Sequence, residues 1–450
     1  MKDTLIQTVR DFLKERWQPG RPLLVGFSGG PDSLALVHAL LECKRFLPID
    51  IHLAHIDHGW REESKKEAEN LKDKMESLGL TFHLKTLSLS DFALGNKENI
   101  ARDLRHVFFK EVYNLIDAQA LLLAHQMDDL AETVLKRIFE GAGIFSWTAM
   151  QECSLFEGMN LWRPLLSLSK KGLLDFLKAK DLTYYIVDYT NLDPKFLRGR
   201  MRTEIFPYLE GLFGKNIVSS LCALSEDASL VTSPMIAEFT KLATRCKKCL
   251  LGTYIDFEEL SLSPQQSPLF LKYFLTELGV VASRPMIKAI AERLASAKEP
   301  KRFASGKWHI FVERHRLFIS DDLPKYSSSM TLKEGLWQFD GWTYEVKWED
   351  VSLNRKTSSW EDAFDGQLFV ELPQASYLLA GFEGLKGLAL KDFLLKRLSS
   401  ARVPSFLRSL FPFVIHNDEL IHEFLSGKIL KKCPTDTPKR LSIRLFRDRK

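Results

Sequence analysis

Apolar and polar positions follow two rhythms along the first third of the chain. Residues 4–16 repeat at helical spacing, with Leu5, Val9, Phe12 and Leu13 on one face, and predict an amphipathic helix. Leu23-Leu24-Val25-Gly26-Phe27 is a short apolar run that predicts a buried strand. The longer run from Leu34 to Leu41 predicts a buried helix. Ile49 to Ile56 alternates and predicts a second strand. Residues 62–78 predict a charged helix with Ala68, Leu71, Met75 and Leu78 inward. A third strand (Thr81 to Leu87), a helix over 98–116, a fourth strand (Ala120 to Ala124) and a helix over 128–140 follow. Strict alternation of strand and helix predicts an α/β fold, a parallel sheet with helices on both faces. Ligands of such sheets sit beyond the carboxyl ends of the strands, where segments 28–33, 55–61 and 125–132 fall.

Beyond Pro207–Gly214 the rhythm changes. Residues 1–214 are expected to form the α/β domain and 215–325 a mainly helical middle domain, broken at Ser261-Leu262-Ser263-Pro264 and closed by a hairpin over 302–320. Residues 326–450 are expected to form a small α+β domain that includes a polar, Ser-rich stretch. A chain of 450 residues is too long for one core, and 45% hydrophobic with 27% charged residues fits a globular enzyme. No apolar run approaches 18 residues and the N-terminus lacks a signal-peptide core, so no membrane partner is expected. Six scattered cysteines suit free thiols in a reducing cytoplasm; Cys246-Lys247-Lys248-Cys249 lies in a helical-looking stretch with no second pair at matching spacing. Net charge is +5, unevenly spread: Lys391 to Lys450 carries 14 basic and 6 acidic residues, or +8, against −3 for the rest. Charge alone leaves two readings open, a module for a polyanionic partner and a solvated basic tail.

Ser28-Gly29-Gly30-Pro31-Asp32-Ser33 joins the first strand to the second helix. A strand, a glycine-rich turn and a helix N-terminus converge backbone N–H groups on one point and suit a phosphate. Ser28 and Ser33 can add hydroxyl donors. Asp32 would repel the phosphate unless a cation lay between, so it is expected to ligate Mg²⁺. No lysine follows the glycines, which excludes the Gly-x-x-x-x-Gly-Lys-Ser/Thr loop. A second cluster is His125-Gln126-Met127-Asp128-Asp129-Leu130-Ala131-Glu132. Asp128 can cap a helix there. Asp128 and Glu132, four apart, share a face, as do Asp129 and Glu132, three apart, and such like charges call for a metal or an ammonium group.

The loop resembles the pyrophosphate loop of the N-type ATP pyrophosphatases (PP-loop, adenine nucleotide alpha hydrolase-like). With His55-Ile56-Asp57-His58, Glu98-Asn99-Ile100-Ala101-Arg102 and Leu123-Ala124-His125-x-x-Asp128-Asp129-x-Ala131-Glu132-Thr133, it is similar to the tRNA(Ile)-lysidine synthetase branch. Trp162-Arg163-Pro164-Leu165-Leu166, Asp188-Tyr189-Thr190-Asn191 with Arg198, Arg200 and Arg202, and the C-terminal Gly387–Pro412 stretch also resemble that family. Gly199, Leu130 and Asp392 depart from its usual residues.

The resemblance implies that ATP adenylates the C2 oxygen of the wobble cytidine of tRNA(Ile) with anticodon CAU, and that free lysine then displaces AMP. It implies ATP held by Ser28, Gly29, Gly30, Pro31, Asp32 and Ser33, with adenine near Ala54 and Asp57. It also implies Arg102 at the α-phosphate, Asp129 and Glu132 on lysine, and His125 as a base. Lys195, Arg198, Arg200 and Arg202 would touch the anticodon stem, and Lys391 and Arg408 more distant phosphates. A homodimer is compatible with this reading. The rivals are a sulfur-transferring tRNA-modifying enzyme, which needs a reactive cysteine near the loop, and a non-catalytic tRNA-binding protein.

Overall fold

A computed structural model of the chain describes residues 2–57, 59, 64–87, 97–186, 196–296, 299–324, 329–339, 342–350, 357–373, 375–382, 388–428, 430 and 439–447. They divide into two compact units, Met1–Ser233 and Pro234–Lys450. The sequence pattern sets boundaries near 214 and 325; the units meet instead within one long helix.

The first unit carries helix α1 (Lys2–Arg16), strand β1 (Leu23–Gly26), α2 (Pro31–Lys44), β2 (Ile51–Asp57), α3 (Ser64–Ser77) and β3 (Thr81–Thr86). Then come α4 (Lys97–Leu115), β4 (Ala120–Leu123), α5 (Met127–Phe139), a short α6 (Ile144–Trp147), β5 (Cys153–Phe156), β6 (Met159–Trp162) and α7 (Lys170–Ala179). Its sheet runs β3-β2-β1-β4-β6-β5 and is parallel except for the β5–β6 hairpin at one edge. The expected alternation is present, with element ends moved by up to three residues. The hairpin of β5 and β6 has no counterpart in the sequence expectation.

Strand β1 is apolar at successive positions because both of its sides are buried. Leu23 and Val25 join the core shared with α1, α2 and α7, whereas Leu24 joins the opposite core with Ala54, Phe108, Phe109 and Leu121. Each such side chain contributes about 1.5–3 kcal/mol by leaving water. Chain order reverses between β1 and β4, so the crevice for a ligand opens beyond their carboxyl ends. The unit closes with α8 (Leu197–Arg200), one π-helical turn (Met201–Ile205), α9 (Phe206–Phe213) and α10 (Ile217–Ala243), which carries the chain past Ser233.

The second unit is richer in strands than expected. Strands β7 (Lys247–Cys249) and β8 (Gly252–Asp256) precede helices α11 (Gln266–Glu277) and α12 (Arg284–Ser296). Strands β9 (Lys301–Ser305), β10 (Trp308–Glu313) and β11 (Arg316–Ser320) then complete an antiparallel sheet ordered β7-β8-β11-β10-β9. The helical expectation for residues 247–256 is therefore corrected. Cys246-Lys247-Lys248-Cys249 enters a strand, and the turn to β8 needs Gly252, where a side chain would stand 2.1 Å from the Ile319 carbonyl oxygen. After this sheet come β12 (Ser329–Thr331), β13 (Gly335–Phe339), β14 (Trp342–Glu349), α13 (Trp360–Phe364), β15 (Gln367–Leu372) and β16 (Leu378–Ala380). Helix α14 (Leu388–Ser400), β17 (Phe413–His416), β18 (Glu419–Glu423) and β19 (Lys439–Arg447) finish the chain. They build two further four-stranded antiparallel sheets around a core that includes Trp342, Phe364, Leu398 and Phe424.

Candidate active site

The 28–33 turn leaves β1 after Phe27, whose N–H donates to the Ala54 carbonyl at 2.9 Å. Gly29 has φ +77°, and a Cβ there would lie 2.6 Å from Leu71 Cδ1, so only glycine makes the turn without strain. Gly30 is the N-cap of α2 and Pro31 follows it; no side chain caps the helix, which leaves first-turn N–H groups directed at the turn. Ser33 Oγ donates to the Gly30 carbonyl at 2.9 Å and stands 3.1 Å from Ser28 Oγ. The turn therefore has the donors and the helix-end field that a phosphate requires.

Asp32 sits in the first turn of α2. Both carboxylate oxygens accept from Lys170 Nζ, at 2.6 and 2.7 Å. Burial pushes its ionisation upward, and the Lys170 charge pulls it back. Lys170 opens α7, and its backbone N–H donates to Asp128 Oδ2 at 3.1 Å. Sequence reasoning missed Lys170. The available signal was Ser169, which caps α7 and fixes where the lysine begins the helix. A half-buried Asp32 carboxylate fits Mg²⁺, an ion that takes one or two carboxylates and fills its shell with phosphate oxygens and water. Among the described residues, no group of three or more His, Cys, Asp or Glu is placed to hold a metal by itself.

Helix α5 starts at the carboxyl end of β4. Its cap is Gln126, not Asp128 as expected: Gln126 Oε1 accepts the Asp128 N–H at 2.7 Å, and Asp129 Oδ2 accepts the Gln126 N–H at 3.1 Å. Asp129 and Glu132 do share one face, as their spacing predicts, and a guanidinium spans them. Arg202 Nη2 donates to Asp129 Oδ1 at 2.9 Å and to Glu132 Oε2 at 3.2 Å, and Arg202 Nε donates to Glu132 Oε1. Arg198 Nε stands 3.8 Å from Glu132 Oε2. Burial raises the ionisation of Glu132, while the Arg202 hydrogen bond opposes that shift. Arg202, expected on tRNA, is thus turned inward, because only a cation neutralises two carboxylates out of water.

His125 lies between β4 and α5. Its Nδ1 is shut from solvent without a hydrogen-bond partner, and burial lowers its ionisation to about 4. The charges of Arg163, Arg198 and Arg105 push it the same way. Arg102 is exposed on α4, with its charge acting on Arg105. Asp57 is buried; Oδ1 accepts the Gly59 N–H at 2.9 Å, and Oδ2 has no partner. Ala54 is fully enclosed within the sheet, so it offers adenine no surface, contrary to expectation. Arg200 is exposed, and Lys195 lies outside the described residues, as does Asp188–Asp193.

In the second unit, Lys391 Nζ stands 5.6 Å over the Phe382 ring. Arg408 is not a free phosphate contact. Its Nε and Nη2 donate to the Val403 carbonyl, and Glu313 lies 3.7 Å away. Burial raises the ionisation of the first unit's cysteines, Cys153 upward and both Cys43 and Cys222 up to about 11. A thiol held that high is a poor nucleophile at neutral pH.

Residues 1–209 match the family described as the PP-loop domain. A tRNA(Ile)-lysidine synthase of Protochlamydia amoebophila is 33% identical over 433 residues, 95% of this chain and 93% of that protein. The same-named protein of Chlamydia pneumoniae is 35% identical over 286 residues, covering 60% of this chain and 84% of its own. Among solved structures, the U34-tRNA thiolase NcsA of Methanococcus maripaludis superposes with TM-score 0.40 at 17% identity, covering 50% of this chain and 80% of that one. The chain belongs to the tRNA(Ile)-lysidine synthase family and carries that family's ATP-binding PP-loop domain.

Proposed function

We propose that the protein ligates free lysine to C2 of the wobble cytidine of tRNA(Ile) with anticodon CAU. In this reading ATP is cleaved to AMP and pyrophosphate by way of an adenylated tRNA, and codon recognition changes from AUG to AUA. The observation that carries the reading is that Lys170 ties the two sites together. Its ammonium pairs with Asp32 of the phosphate turn, and its backbone N–H donates to Asp128 at the start of α5, the helix that carries Asp129 and Glu132. A phosphate site and an ammonium site side by side are what an adenylating amine ligase requires.

The cytidine C2 oxygen attacks the α-phosphorus and pyrophosphate leaves. The turn at 28–33 holds the departing phosphates through backbone N–H groups. Asp32 would hold Mg²⁺, which would neutralise charge on those phosphates, and Lys170 is the chain's own cation at the same place. The lysine ε-amine then attacks C2, and AMP departs with the former C2 oxygen. Free lysine ionises near 10.4, so it arrives as an ammonium and must lose a proton first. Asp129 and Glu132 bind that ammonium. His125, ionising near 4, is neutral at pH 7, but it would accept the lysine proton on the order of a millionfold unfavourably. Glu132, whose basicity burial raises, is the better acceptor. Exposed Arg198 and Arg200 are left to meet the tRNA backbone.

The test is AMP release from α-labelled ATP with unmodified tRNA, with lysine present or omitted, followed by mass spectrometry of the nucleosides. Lysine-dependent AMP release, with a cytidine heavier by one lysine less water, is expected. AMP release that ignores lysine and needs a sulfur donor would transfer the protein to thiolation.

A further inference from the structure

Every oxygen of the two carboxylates assigned to lysine already accepts a hydrogen bond. Asp129 Oδ1 is taken by Arg202 and Oδ2 by the Gln126 N–H; Glu132 Oε1 and Oε2 are both taken by Arg202. Glu132 is 1% exposed and Arg202 is 29% exposed, so the guanidinium is the solvent-facing side of the pair. With Glu132 buried and both of its oxygens on Arg202, an incoming ammonium has to compete with that guanidinium. Charge gives the same answer. Two carboxylates balance Arg202 with Arg198 nearby, and a further cation added to that set would be repelled.

Arg202 is also held by an unusual segment. It lies in the π-helical turn Met201–Ile205, between α8 and α9. Such turns insert an extra residue into a helix, and a one-residue slip rotates their side chains away. The Arg202 charge already acts on Asp32, beside the phosphate turn. The guanidinium therefore grips an anionic pair that needs it while its field reaches Asp32 of the turn built to receive an anion.

We propose that Arg202 is an exchangeable counter-ion: it neutralises Asp129 and Glu132 until a phosphate-bearing ligand draws it away, and only then do the carboxylates accept lysine. This rests on the assignment of lysine to Asp129 and Glu132. Arg202 is a positioning residue here, coupling the nucleotide site to the amine site. By linkage, nucleotide and lysine must then strengthen each other's binding by one and the same factor. The arrangement keeps the lysine site closed until there is something to attack.

The test is calorimetric binding of L-lysine to the full chain with Mg²⁺, alone and with saturating α,β-methylene ATP, which cannot be cleaved at the α–β bond. In the wild type the analogue should tighten lysine binding at least about tenfold, a typical size for such coupling. In Arg202→Gln lysine should bind without nucleotide more tightly than it does to the wild type, and the factor should fall below about two. Arg202→Lys, which keeps a charge but loses the two-pronged grip, serves if the Gln variant fails to fold; its factor should also shrink. An unchanged factor in either variant, or no coupling in the wild type, overturns the proposal. Glu132→Gln separates this from the underlying assignment. If it leaves lysine affinity untouched, lysine binds elsewhere and both fall. If it weakens lysine while the Arg202 variants keep full coupling, only the counter-ion exchange falls.

Discussion

His125 and Glu132 respond to burial in opposite directions, and each makes a prediction. His125 ionises near 4 in the folded chain against an ordinary 6.5. Between those values the unfolded chain holds a proton that the folded chain refuses. Its contribution to stability is therefore complete above pH 6.5 and is lost as pH falls towards 4. At pH 5 the loss is about 2 kcal/mol. Asp32 and Glu132, with raised ionisation, work the other way and favour the fold as pH falls. Comparing the wild type with His125→Asn isolates the histidine. Denaturant titrations at pH 7 and pH 5 should show the wild type losing more stability than the variant, by about that amount. Glu132→Gln makes the complementary kinetic prediction. It should raise the KM for lysine at least about tenfold and the KM for ATP less than about threefold, since one charged hydrogen bond contributes about 1.5–3 kcal/mol. Equal effects on both substrates would remove Glu132 from the lysine site.

At the scale of elements, the turn between β1 and α2 sets the geometry on which the nucleotide depends. Gly29→Ala would force a side chain into Leu71 and Ile186 at a positive φ. The expected result is a loss of about 1–3 kcal/mol in stability, with lysine-dependent AMP release falling further than global unfolding explains; thermal melts beside turnover assays check it. This turn was legible in the sequence because its function is local: six consecutive residues carry the strand end, the nest and the helix start. The pairing of Asp129 with Glu132 was legible for the same reason, as helical spacing puts them on one face. The cations were not. Lys170 meets Asp32 across 138 residues, and Arg202 meets Glu132 across 70. No periodicity records such distant pairs, so Arg202 reads in sequence as one more basic residue in a basic run. Strands β7 and β8 were missed for a related reason. They are short, follow a long helix with no glycine or proline between, and become strands only through pairing, β8 with β11 and β7 with β8.

At the scale of the molecule, charge is divided as sharply as the fold. The second unit nets +8 and the first −3. In the proposed function the first unit admits an ammonium, and a negative balance there suits that reading. The second has no comparable need, and part of its basic charge is spent internally, as in Arg397 on Glu423, Arg316 on Asp256 and Arg447 on Asp321. Lys301, Arg302, Lys396, Arg402 and Arg444 are exposed. If the unit grips tRNA through such residues, each lost phosphate contact removes about 0.7–0.9 from the slope of log affinity against log salt. The variant Lys301→Glu/Arg302→Glu/Lys396→Glu/Arg402→Glu should then bind tRNA at least about tenfold more weakly near 0.1 M salt and show a slope shallower by roughly 1–3. Its KM for ATP should stay that of the wild type, because the phosphate turn lies in the other unit. A wild-type slope near zero would make the basic excess a solvated surface. A steep slope that the variant keeps would move the grip to Arg198 and Arg200, beside the carboxylates of α5. The two results differ in consequence: with the second, tRNA phosphates would draw on Arg198, which stands beside Glu132, and tRNA concentration alone would change the apparent affinity for lysine.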